Sequence, residues 1–223
     1  LTVEKNSPSI STTLSATSPI SIGDTVYDSA SLTGATSNAG GTVTYSVYSG
    51  GSCSGGALDS DTVTVTNGNV PNSKVFNVFT SAGTYSFQAV YSGDPNNNGA
   101  SSVCSTELLT VEKNSPSIST TLSATSVPIG TPVTDSATLS GVTSDAAGNI
   151  IFKVFSGTDT TCSGTVPFTS NTITVNGPNT YGPSQPNFIP SSVGTYRWQA
   201  FYSGDAKNNP ATSSCDAEIL TVN

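Results

Sequence analysis

Short runs of strictly alternating apolar and polar side chains recur along the whole chain. Val26, Asp28, Ala30 and Leu32 share one parity, and Val133, Asp135, Ala137 and Leu139 repeat it. Val43, Tyr45 and Val47 alternate with Thr44, Ser46 and Tyr48, and Ile150, Phe152 and Val154 take the inward positions of a matching run. Tyr85, Phe87, Ala89 and Tyr91 line one face of the next, answered by Tyr196, Trp198, Ala200 and Tyr202. A period of two is the mark of a half-buried strand. Further strands are predicted at 9–16, 62–66, 74–80, 106–111 and 172–175. No stretch carries helical periodicity. About seven short strands in each ~110 residues predict an all-β fold of two tandem immunoglobulin-like β-sandwich domains.

The organisation follows from self-similarity. Residues 1–17 read LTVEKNSPSISTTLSAT, and residues 109–125 are identical. Downstream the copies diverge in register. GTYSFQAVYSGD at 83–94 matches GTYRWQAFYSGD at 194–205, and CSTELLTV from Cys104 matches CDAEILTV from Cys215. The predicted domains are therefore 1–111 and 112–223. Each copy closes on Leu-Thr-Val, and the chain also opens with it, so residues 1–3 are expected to be the tail of a preceding copy. The alternative is that this segment adds as a strand to a neighbouring molecule, which would make the protein a filament subunit.

One motif sharpens the domain type. In immunoglobulin folds a Tyr near the start of the sixth strand precedes an inward core position by two residues, and its hydroxyl bonds back to the backbone. Tyr85 precedes Phe87 and Tyr196 precedes Trp198 in this way. An aromatic thus stands where antibodies place a cysteine, and no inter-sheet disulfide is expected there. With the DSA-x-L strand, the GTY-x-x-x-A-x-YSGD-x-x-NN block, a Cys soon after it and a closing E-x-L-TV strand, the chain resembles the bacterial and archaeal Ig-like repeats of large surface proteins. The resemblance covers nearly the whole of both copies. It implies a stalk, spacer or adhesin arm in which the partners are neighbouring repeats, and no enzymatic activity.

Composition narrows the function. The net charge is −8, from 14 acidic and 6 basic residues, and there is no His or Met. Nothing could neutralise a run of phosphates, so nucleic acid is not an expected partner, nor is an anionic membrane surface. No apolar run reaches the ~20 residues of a membrane span. Without His the commonest catalytic base is missing, and the many Ser and Thr lack an adjacent activating base. No enzyme and no cofactor are expected. No Asn-x-Ser/Thr sequon occurs.

Each copy has one Cys early and one late, so Cys53–Cys104 and Cys162–Cys215 are the expected bridges. Bridges would place the protein outside the cell or at its surface. The alternative is four free buried thiols. A loop spanning 93–103 would have to fold back for the late Cys to reach the early one.

Several residues are candidates for a site. Asp28 and Asp135 have inward parity, and a buried carboxylate is costly without partners. They could accept backbone or hydroxyl bonds, or serve as the acid of an isopeptide cross-link to Lys5 or Lys113. Asp94, Asn96, Asn97 and Asn98, with Asp205, Asn208 and Asn209 in the second copy, offer oxygen donors that could suit calcium, although the same residues are ordinary turn formers and Lys207 stands among them. Glu4, Lys5 and Asn6, like Glu112, Lys113 and Asn114, read as solvated linker. Tyr48, Val90, Phe155 and Phe201 have outward parity and could form a contact face for a glycan or protein.

Overall fold

A computed structural model describes residues 2–223. Leu1 lies outside the described residues, so the expected role of the opening Leu-Thr-Val is not addressed at that position; Thr2 and Val3 lie in no strand. The chain divides into two compact units, Leu1–Glu112 and Lys113–Asn223. The boundary is one residue from the position expected from the repeat.

Unit 1 contains β1 (Ser9–Leu14), β2 (Ile20–Ser21), β3 (Asp28–Thr33), β4 (Thr42–Ser49), β5 (Asp59–Thr64), β6 (Gly83–Tyr91), β7 (Ala100–Ser101) and β8 (Leu108–Glu112). One sheet pairs β1 with β3, and the other runs β2-β8-β6-β4-β5 with β7 also on β6. All pairings are antiparallel except β2 with β8. Unit 2 contains β9 (Ser117–Leu122), β10 (Ser126–Val127), β11 (Asp135–Ser140), β12 (Asn149–Ser156), β13 (Phe168–Thr169), β14 (Ile173–Thr174), β15 (Asn179–Tyr181), β16 (Gly194–Tyr202), β17 (Ala211–Thr212) and β18 (Glu218–Val222). Its sheets are β15-β11-β9 and β10-β18-β16-β12-β13, with β14 on β12 and β17 on β16. Each unit is an all-β, immunoglobulin-like sandwich, because the inward parity of facing sheets meets in one apolar layer.

That layer is aromatic. Tyr45, Phe76, Phe79, Phe87 and Tyr91 are fully buried in unit 1, as are Phe152, Trp198 and Tyr202 in unit 2. Phe168 and Phe188 each stand 5.8 Å from the Trp198 ring. Each such side chain contributes roughly 1.5–3 kcal/mol of burial.

The predicted strand at 74–80 is reduced to a bridge. Val26 and Phe76 exchange backbone bonds of 3.1 and 2.7 Å. Phe76 and Phe79 are both buried, and residues three apart cannot share a face of a regular strand. The predicted strand at 172–175 contracts to β14.

The last strand also departs from expectation, in being interrupted. The chain folds back along 93–103, as the bridge requires. It turns tightly, resumes pairing as β7, and is then interrupted by a 3₁₀ turn at Cys104–Thr106 before continuing as β8. Ser102 N–H bonds the Ala89 carbonyl and Phe87 N–H bonds the Glu107 carbonyl, at 2.9 and 3.2 Å, so the whole interrupted stretch tracks β6. Cys104 thereby sits halfway along the sheet.

Candidate functional site

Three polar constellations occur in both units. The first closes the hairpin after β6. Gly93 adopts φ +74°, and a Cβ there would stand 2.7 Å from the Asn97 carbonyl oxygen, so only glycine fits the turn. The next residue, Asp94, is enclosed by donors. Its Oδ1 accepts Asn96 N–H (2.7 Å), Asn97 N–H (2.8 Å) and Asn97 Nδ2 (2.9 Å), while Oδ2 accepts Gly40 N–H (2.7 Å). The Gly40 bond leads the N–H donors that hold its carboxyl at about 2, well below the usual range. Asn97 is fully buried, accepts Thr36 N–H at 2.9 Å and donates to Thr36 Oγ1 at 2.9 Å.

Unit 2 repeats the arrangement. Asp205 accepts Ala147, Lys207 and Asn208 N–H at 2.7, 2.7 and 2.8 Å, and Asn208 Oδ1 accepts Thr143 N–H at 2.9 Å. Burial opposes ionisation of Asp205, but these donors outweigh it and its carboxyl titrates at about 2. Of the two readings of this cluster, calcium loop or ordinary turn, the structure has a turn closed as a polar knot: the Asp94 and Asp205 carboxylates and the Asn97 and Asn208 amide oxygens already accept N–H bonds. Lys207 is likewise committed, pairing with Asp145 at 2.6 Å.

Four of the six expected linker residues, Lys5, Asn6, Lys113 and Asn114, belong to the same knot, and Glu112 ends β8. Asn6 N–H bonds the Asn96 carbonyl (2.9 Å), Asn98 N–H bonds the Asn6 carbonyl (2.8 Å), and Lys5 Nζ bonds the Asp94 carbonyl (2.8 Å). Asn114 and Lys113 do the same with Lys207, Asn209 and Asp205. These residues are anchored within their own unit and are not free linker.

The second constellation is acidic. Asp28 on β3 and Asp135 on β11 are 0% and 1% exposed. Each backbone N–H is held by a serine hydroxyl, Ser73 at 2.9 Å and Ser184 at 3.0 Å. Asp135 Oδ1 accepts Thr121 N–H at 3.1 Å. Neither oxygen of Asp28 has a well-formed donor partner. Opposite Asp28 stands Glu107, 7% exposed, within side-chain hydrogen-bonding reach. Opposite Asp135 stands Glu218, whose Oε2 accepts Leu122 N–H at 3.3 Å. Burial, reinforced by these neighbours, pushes Asp28 up to about 8 and Asp135 to about 7. Lys5 and Lys113 bond the hairpin knot, so neither stands beside these acids as the cross-link would require.

The third constellation is the bridge. Cys53–Cys104 and Cys162–Cys215 are formed, with Cα separations of 5.8 and 5.7 Å. The loop after β4 folds over the outer face of its own sheet, and Cys53 N–H bonds Ser86 Oγ at 3.1 Å. Ser86, of outward parity, is fully buried as a result. This corrects the expected contact face. Phe155 has outward parity but is only 3% exposed; its cross-strand neighbour Arg197 is the counterpart of Ser86 in the register. Tyr48 is half-buried at the same covered level, whereas Val90 is exposed opposite Thr44 at the other end of β4. In neither unit do the two residues form one exposed patch. Phe201 is half-buried beneath Lys153, whose Nζ is 4.8 Å from the ring centroid.

The corner tyrosines bond back to the chain. Tyr85 hydroxyl donates to the Ser81 carbonyl at 3.0 Å, and Tyr196 to Ser192 at 3.1 Å. Tyr85→Phe deletes one neutral bond, and urea unfolding of unit 1 should show a loss of about 1 kcal/mol.

No group of three or more His, Cys, Asp or Glu side chains is placed to hold a metal ion among the described residues. No known protein family matches the chain, and no curated protein matches it. Among solved structures, it is similar to the CARDB domain of a Pyrococcus furiosus protein in complex with di-metal ions, at 14% identity and a TM-score of 0.32 over 50% of this chain and 94% of that one. It is also similar to Escherichia coli alpha-2-macroglobulin activated by porcine elastase, at 8% identity and a TM-score of 0.33 over 92% of this chain. The chain spans 23% of that protein. At these values neither likeness bears on what the chain does.

Proposed function

We propose that this chain is a non-enzymatic structural repeat of a secreted or cell-surface protein, in which self-contained modules are copied to gain length. The observation that carries this reading is that each unit closes its own aromatic core and its own disulfide. A module complete in itself can be multiplied without redesign. The bridges support an oxidising compartment. The residues that would do chemistry are committed to structure: the carboxylates of the hairpins bind backbone N–H groups, and the inward acids lie between sheets.

A tether is tested by pulling its ends. We expect two separate unfolding steps, one per unit. With bridges intact, 51 residues of unit 1 and 53 of unit 2 are withheld from extension. Reduction should lengthen each step by about 170–180 Å, at ~3.4 Å per residue. A single step for the whole chain, or no change on reduction, would defeat the reading.

A further inference from the structure

The inward acids have no role in a spacer, yet the same constellation occurs twice. Thr12 and Asp28 share the inner face in unit 1, and Thr120 and Asp135 share it in unit 2. Glu107 and Glu218 approach from the last strand of the opposite sheet, each three residues after the late cysteine. The two copies of the intervening segment read Ser-Thr and Asp-Ala, so the acids persist where their neighbours do not.

Partners for full ionisation are missing. Asp28 Oδ1 and Oδ2 are buried with only the Ser29 and Thr13 N–H groups near them, neither in good hydrogen-bond geometry, and Glu107 Oε2, Asp135 Oδ2 and Thr120 Oγ1 are buried without a partner. The ion pairs among the described residues are Lys74–Asp59, Arg197–Asp216 and Lys207–Asp145, and none includes these acids. Around the Asp28 and Glu107 pair stand Tyr45 on β4 with Asp61 beyond it on β5, the Ser29 backbone on β3, and from β1 the Thr12 hydroxyl and the Thr13 and Leu14 backbone. Burial, with Asp28 nearby, holds Tyr45 up at about 12, so it stays neutral. Around Asp135 stand Glu218, Thr121 and Ser184. The cross-strand partner of Glu218 is Trp198, whose buried Nε1 also lacks an acceptor. Two carboxyl groups in contact without a cation are tolerated only when at least one proton stays between them.

We propose that Asp28 with Glu107 is a proton-holding latch that ties the last strand of one sheet to the inner face of the other in unit 1 and lets go as the surroundings turn alkaline, Asp135 being a buried acid of the same sense in unit 2. A groove lined by Thr12, Leu14, Ser18, Thr106, Glu107 and Leu108 gives solvent a route to the latch. The direction follows from linkage. An unfolded Asp loses its proton near 3.8, whereas folded Asp28 keeps it to about 8. The latch contributes in full below the first value and is lost as pH rises through the second. Asp94 and Asp205 act oppositely, their contribution being lost as pH falls through about 2. Between them these acids place the greatest stability at about pH 4.

The test uses the whole chain. Carbon-13 NMR of the Asp28 carboxyl should show a midpoint near 8, and Glu107→Gln, which removes the neighbouring charge, should lower it by about one unit or more. In urea, the unfolding constant of unit 1 should rise about tenfold per pH unit between pH 5 and 7.5, and D28N, which cannot ionise, should flatten that slope. An Asp28 midpoint below 5, or parallel slopes for both proteins, overturns the proposal. If D28N does not fold, the carbon titration of the unsubstituted protein decides by itself, a midpoint near 8 supporting the latch and one below 5 sinking it.

Discussion

Replacing Cys53 and Cys104 together by serine should cost unit 1 about 4 kcal/mol in the chain-entropy account of cross-links. The bridge spans 51 residues, nearly half of the unit, and that loop is set free in the unfolded chain when the bond is absent. A domain of this size has roughly 5–15 kcal/mol in hand, so the bridge supplies between about a quarter and four-fifths of it. The folded state changes as well. The loop carrying Cys53 covers the outer face of β4 and β6, and its N–H to Ser86 bond depends on staying there. Guanidinium unfolding of the double variant, with unit 2 as the internal reference, measures the loss. A loss below ~1 kcal/mol would mean that the loop holds its place without the bond.

Asn97→Ala should destabilise unit 1 by about 2–4 kcal/mol, and Asn208→Ala should do the same to unit 2. Asn97 is wholly buried and joins two segments: its carbonyl receives Thr36 N–H, and its amide spans Thr36 Oγ1 and both oxygens of Asp94. Alanine leaves the half-buried Thr36 N–H without its acceptor beside a position that is itself wholly buried, which costs more than the lost bonds alone. The N-terminal segment of the unit follows, because Asn6 is held by the backbone on either side of Asn97. Amide exchange at Asn6 and Asn98 should accelerate in N97A, and chemical unfolding gives the energy. Unchanged exchange at those amides would show that the hairpin closes without Asn97.

How much of this is legible in the sequence depends on what sets each position. Strands such as Gly83–Tyr91 read plainly because one face is buried and parity alternates with the core. Residues 74–80 mislead because Phe76 and Phe79 both point inward at a spacing no strand allows. Phe155 misleads for a different reason: parity says which face a side chain takes, but not that a tethered loop covers that face. The Asp94 and Asn97 pairing resembles cation ligation because oxygen donors look alike whichever partner they have. The signal against it is the fixed Gly-Asp-x-x-Asn spacing after a strand, which is turn chemistry. Periodicity gives Glu107 the inward parity of Leu109 and Val111, and Glu218 that of Leu220 and Val222, but it does not say that an acid of the other sheet faces them. Their equal offset from Cys104 and Cys215 is a second clue.

The seam between the units has a consequence for how such a chain can change length. The identical stretch 109–125 holds the end of one closing strand and, from Lys113, the residues that anchor the next unit to its own hairpin. It matches 1–17 letter for letter. A genetic crossover between two copies anywhere in that stretch yields the same amino acids on both sides of the join. Every unit in the product keeps its closing strand, its lysine anchor, its acid pair and its bridge. Copies can be gained or lost by recombination at this site without producing a defective module, so the stretch where the repeats are most alike is also where the gene is safest to cut.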